Sequence, residues 1–198
     1  QLLNGFTRIE LDVYFLDFIY NSLPKYVTWS MILIFIQVAI NNKYLGYFIS
    51  IIFLFLLDII FLILKIETNM IKVGATPSST YSDMNSFGPA LTGVLWFNGY
   101  WLLFGLMFLL FAGLLWIRGV AGGFMSRLKS SGKQFSKKYT FIIAMSVIAW
   151  LSVLMVVYYN TQVLNKYKTS DEFEKLQAEY EKTYKKYENV NLPKITTT

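Results

Sequence analysis

Neither cysteine nor histidine occurs anywhere in the 198 residues. Without cysteine there is no disulfide framework and no thiolate chemistry. Without histidine there is no imidazole zinc site, no haem ligation and no histidine general base. Charge is scarce as well: Asp, Glu, Lys and Arg make up 15% of the chain, with 12 acids against 18 bases. Apolar side chains take the remaining space. Hydrophobic residues reach 55%, aromatics 18%, and the mean hydropathy is +0.45. A water-soluble domain of this length must cover its surface with polar groups, so this balance selects a membrane protein. The chain opens at Gln1 and shows no pattern of basic region, apolar region and cleavage site. It is therefore expected to be an internal piece of a longer polypeptide.

A membrane-spanning helix needs about 20 mostly apolar residues. Four runs meet that length, near 23–41, 44–66, 93–117 and 140–160. They are continuous rather than alternating, which favours helices over barrel strands. The expected fold class is an all-α membrane protein with about four transmembrane helices, an N-terminal interfacial helix and a C-terminal extracytoplasmic helix. Residues 1–22 are apolar but interrupted by Asp12 and Asp17, so they read as an interfacial amphipathic segment. The transmembrane domain covers 23–160. Ser22 is placed to cap its first span and Pro24 to sit in the first turn, where a missing N–H costs nothing. That first run is short enough to be re-entrant instead. Residues 161–192 read as a charged amphipathic helix. Thr169 and Glu172 have capping-box spacing, and Phe173, Leu176, Tyr180, Tyr184 and Tyr187 fall on one stripe. Residues 193–198 read as a linker to a further domain.

Orientation follows from the short loops. Arg118, Arg127, Lys129, Lys133, Lys137 and Lys138 crowd the third connection without one acid, which assigns it to the cytoplasm. The first connection, at Asn42, then also faces inward. The loop 67–92, the N-terminal segment and the C-terminal helix fall outside. Trp96, Tyr100 and Trp101 mark the outer edge of the third span, as interfacial aromatics do. The basic loop adjoins two spans, so orientation and anionic lipid account for it and no nucleic-acid partner is expected. Its "GGFMSRLKSSGKQ" lacks the ending of a phosphate-binding P-loop.

Two polar residues lie inside the apolar runs. Asp58 sits in the second, roughly 10 Å from its outer end at the rise of a helix. An ionisable group there costs at least ~2.5–3.5 kcal/mol, so it faces protein or water. Asn98 lies at a similar depth in the third run. Together they read as an interhelical clasp or as part of a substrate path or lateral gate. Gly105 and Gly113 read as packing positions. Asp83 and Asn85 offer too few oxygens for a calcium site and suit a turn. No catalytic constellation can be assembled, so the chain is not expected to be an enzyme, and no cofactor or metal site is expected within it.

The stretch "TPSSTYSDMNSFGPALTGVLWFNGYW", with "LPKYVTWSMILIFIQVAINNKYLGY" and the tail "EYEKTYKKYENVNLPKIT", resembles a family of bacterial inner-membrane proteins. These fuse an ABC-type transporter permease to an aminopeptidase N-like domain. Tyr81, Ser82, Asp83, Met84 and Asn85 match the family's outer-loop motif. The resemblance implies an ABC-2-like permease fold, multi-pass in the bacterial inner membrane with the C-terminal helix in the periplasm. It also implies ATP on a separate ATPase subunit on the cytoplasmic side, and zinc in a peptidase domain that follows. Expected partners are the bilayer, that ATPase, and other membrane subunits or a second permease half. The competing expectation is a membrane anchor without transport, or an accessory subunit of a larger envelope complex.

Overall fold

The structure, a computed structural model, describes residues 11–40, 42–82, 84–88, 90–116 and 136–187. Four of its helices are long and apolar enough to cross a bilayer: α1 (Leu11–Ile40), α2 (Lys43–Ile63), α3 (Ala90–Leu115) and α4 (Lys137–Leu164). A fifth helix, α5 (Ser170–Tyr184), is polar and exposed throughout. The protein is an all-α membrane protein. The connection at 117–135 lies outside the described residues, and with it Arg118, Arg127, Lys129 and Lys133; Lys137 and Lys138 begin α4.

The spans form an open row rather than a closed bundle, in the order α2, α1, α3, α4. Lipid is as apolar as leucine, so close packing and hydrogen bonds must hold these helices together. Small residues provide the approach. A side chain at Gly105 would meet Met31 Sδ at 3.1 Å and Thr28 Cα at 3.4 Å, so α3 lies close against α1 there. Gly46 brings α2 within reach of the Gln37 backbone, and Gly113 receives the Tyr139 hydroxyl of α4. Aromatic edges fill between them: Trp29 against Phe53 joins α1 to α2, Phe35 against Phe108 joins α1 to α3, and Trp150 stacks on Tyr100 between α4 and α3. Tyr139 also donates to the Leu110 carbonyl at 2.7 Å.

The α1 helix differs from the sequence expectation. It continues through residue 22 without a break, and residues Phe18–Ser22 form a π-helical turn within it. Ser22 therefore caps nothing, and Pro24 lies in the helix interior rather than in a first turn. A proline there has no N–H for the carbonyl four residues back, which is Tyr20. Wider turns are a common accommodation of such an interruption. The expected edge of an interfacial segment at residue 22 thus has no counterpart in the backbone.

Helix ends follow local chemistry. The Asn42 side chain accepts from the backbone N–H groups of Tyr44 and Leu45, at 3.1 and 3.2 Å, and caps α2. At the other end Lys65 adopts a left-handed conformation with φ 50°, and Ile66 N–H bonds back to the Phe61 carbonyl at 2.9 Å. That pattern is a Schellman ending, usually given to glycine. The capping box of α5 is present: Thr169 accepts from Glu172 N–H, and the Glu172 carboxylate accepts from Thr169 N–H.

Candidate functional site

The chemistry of the chain collects at the end of the row where residues 64–89 connect α2 to α3. Two aromatics in the first half of α3 organise that connection. Tyr100 donates to the Met70 carbonyl at 3.2 Å, and Trp101 Nε1 donates to the Ala75 carbonyl at 3.0 Å. Both rings are buried with Phe97 and Val157. Lys72 and Gly74 are bracketed by the two anchors. Gly74 is buried with φ 71°, and a side chain there would meet Lys25 Cγ at 3.0 Å. The connection therefore lies directly on the aliphatic stem of Lys25.

Beneath it is a crevice of about 300 Å³ between α1, α2 and the connection. Its charged walls are Lys25, Asp58 and Lys72, and its apolar walls include Trp29, Phe55 and Val73. The hairpin explains the meeting. Lys25 in α1 and Asp58 in α2 stand equal numbers of residues from the Ile40–Lys43 turn, about 22 Å along antiparallel helices. Asp58 has no hydrogen bond or ion pair to another described side chain. A second crevice of about 480 Å³ opens beside the first, sharing Asp58, Phe61 and Lys72 and adding Lys65, Glu67 and Asp171.

The first turn of α5 closes the far side of that second crevice. Lys65 Nζ donates to Asp171 at 2.8 Å, and Ser170 N–H donates to the Glu67 carboxylate at 2.8 Å. The hydrogen bond from Lys65 and its charge hold the Asp171 carboxyl below its ordinary value and raise the Lys65 ammonium in return. The bond from Ser170 N–H likewise lowers Glu67.

Asn98 is elsewhere. Buried in α3, it donates through Nδ2 to the Tyr20 carbonyl at 2.7 Å, the carbonyl that Pro24 leaves without its helical donor. The pairing of Asn98 with Asp58 is not formed; the amide serves the interrupted backbone of α1. Tyr81, Ser82, Met84 and Asn85 belong to a tight turn in which Ser82 N–H donates to the Ser86 carbonyl and Gly88 N–H to the Asn85 carbonyl. The Tyr81 ring stands edge-on to Phe87, which is buried and also meets Tyr20 of α1. Asp83 lies outside the described residues. The motif thus shapes the mouth of α3, away from the charged crevice. Among the described residues no group of three or more acidic side chains is placed to hold a metal ion. No family model, curated protein or solved structure matches this chain.

Sequence reasoning found Asp58, read Tyr100 and Trp101 only as interfacial aromatics, and passed over Lys25. Lys25 follows a proline at the head of an apolar run, where a lysine reads as a snorkelling end residue. Only the register of the α1–α2 hairpin turns it toward Asp58.

Proposed function

We propose that the chain is the permease portion of an ABC-type, ABC-2-like export system of the bacterial inner membrane. Its C-terminal helix lies in the periplasm and leads toward a peptidase domain. The observation that carries this reading is the open row with Asp58 set in a charged crevice at membrane depth. A simple anchor needs neither an intramembrane acid nor an incomplete bundle, whereas a permease half uses both as surfaces toward a second half and a cargo path. The family resemblance and the charge bias of 118–139 support the same reading. Power comes from an ATPase docking on that basic connection.

The test is affinity purification of the full-length protein from native membranes, with mass spectrometry of what accompanies it. An ATPase subunit should co-purify, and neutralising Lys133, Lys137 and Lys138 to Gln should release it, with cysteine labelling checking that Arg118, Arg127 and Lys129 still hold the topology. Retention of the ATPase by that variant removes the docking surface from the proposal. The second reading, an anchor or accessory subunit, is favoured by the two bonds that hold α5 at the end of α2, since they fix the exit angle of whatever follows. Asp58→Leu separates the two: export falls without loss of protein if the chain transports, and nothing changes if it only anchors.

A further inference from the structure

The crevice beneath the 64–89 connection holds one carboxylate and two ammonium groups that do not neutralise one another by direct contact. Asp58 has no ion pair to a described side chain, although Lys25 and Lys72 line the same space. Lys72 is fixed between the Tyr100 and Trp101 anchors, and the Lys25 stem is pinned beneath Gly74. The fold therefore brings the backbone at Lys72 and the stem of Lys25 beside Asp58, with the charged ends of Lys25 and Asp58 left exposed to a ligand. Glu67 in the adjoining crevice offsets part of the Lys72 charge, but none of Lys25, Asp58 and Lys72 forms an ion pair with a described side chain. Unpaired charge beside the apolar layer favours a ligand with the opposite arrangement: one anionic and one cationic centre on a short link.

The surroundings say where that ligand resides. Asp58 stands about 22 Å from the Lys43 end of a hydrocarbon layer about 30 Å thick, so the crevice lies roughly one and a half helical turns below the opposite surface. Phe55, Ile51 and Phe48 continue from it along the same face of α2 toward the bilayer centre, with 69%, 55% and 62% of their surfaces exposed. An apolar strip leading away from a charged notch suits acyl chains trailing from a headgroup. A purely anionic headgroup would meet the Asp58 carboxylate, and a bare cation would meet two lysines.

We propose that this crevice binds the phosphoethanolamine headgroup of a membrane phospholipid, with Lys25 and Lys72 donating to the phosphate and Asp58 accepting from the lipid ammonium. The site does not rest on export, because an anchor can hold such a lipid equally well. Trimethylation of the ammonium removes its N–H donors, which makes phosphatidylcholine the discriminating comparison.

The experiment uses the full-length protein, delipidated in detergent. It is titrated separately with phosphatidylethanolamine, phosphatidylcholine and phosphatidylglycerol of matched acyl chains, with bound lipid counted by native mass spectrometry. Phosphatidylethanolamine should bind about tenfold more tightly than phosphatidylcholine. Asp58→Asn should erase that preference and favour phosphatidylglycerol, while Asp58→Glu keeps it. Lys25→Gln with Lys72→Gln should weaken both phosphatidylethanolamine and phosphatidylglycerol. Equal binding of ethanolamine and choline lipids by the wild-type protein overturns the proposal, as does a preference that survives Asp58→Asn. Free phosphoethanolamine separates the two sources of the headgroup. If it displaces bound lipid at equal concentration, the ligand is the soluble ester and the lipid assignment falls; if it does not, the lipid assignment stands.

Discussion

A single side-chain amide repairs the most exposed weakness of the backbone. Pro24 interrupts α1 inside the apolar layer, and Asn98 supplies the donor that the Tyr20 carbonyl lacks. With Asn98 buried over it, such a carbonyl has little water to turn to. Asn98→Leu should therefore destabilise the protein by about 0.5–2 kcal/mol, the span between membrane-protein and model-peptide values for interhelical bonds. Asn98→Gln should recover part of that loss if the longer side chain still reaches. Thermal unfolding in detergent, followed by near-UV signals of the neighbouring tryptophans, measures both. Gly74 is the second position where one residue governs many. Its positive φ and its contact with the Lys25 stem both oppose a side chain. Gly74→Ala should cost about 1 kcal/mol in backbone strain and lower the melting temperature. Asp58 was legible in the sequence as an anomaly, because one acid in an apolar run cannot be hidden. Its crevice partners were not, since they come from another helix and from a connection whose path depends on two aromatic anchors.

At the scale of elements, the four spans were readable because each is a long apolar run, and the α5 cap because it is local. The extent of α1 was not. Asp12 and Asp17 depress its hydropathy and Pro24 imitates a helix start, yet the backbone passes through both by widening one turn. The attachment of α5 is equally invisible in sequence, since Lys65 and Asp171 are far apart along the chain. Its pH dependence can be argued by sign. Asp171 and Glu67 are lowered in the folded protein, so their contribution is complete above the ordinary carboxylate values of 3.8 and 4.5 and disappears as pH falls through their lower folded values. Lys65 is raised, so its contribution is complete below 10.5 and is lost as pH rises beyond its folded value. The start of α5 should therefore stay docked across neutral pH and release below about 4 and above about 10.5. Spin labels at Asn69→Cys and Gln177→Cys report this as a distance that broadens at both extremes. Both partners are exposed, so salt should weaken the tether as well.

For the whole molecule, the absence of cysteine from these 198 residues makes topology directly measurable. In the full-length membrane protein, with any cysteine elsewhere replaced, single cysteines at residue 130 and at residue 176 should react with an impermeant maleimide from opposite sides of the membrane, 130 from the cytoplasm and 176 from the periplasm. Labelling of both from one side removes the arrangement on which the export reading depends. Composition was enough to read four helices able to cross a membrane, because hydropathy acts over many residues at once; the orientation rests on loop charge, and this labelling tests it. The row order was beyond them: α1 and α3 lie together through Gly105, Thr28 and Met31, contacts that no hydropathy pattern encodes.

That row order also bears on biogenesis. The helix that completes α1 is not its hairpin partner but the next one to leave the ribosome. Until α3 emerges, α1 and α2 sit in the bilayer with a proline-broken carbonyl that neither of them is placed to satisfy. A fragment that ends before residue 98 should therefore be shorter-lived in the membrane than one that includes α3, a difference that pulse-chase of the two truncations measures.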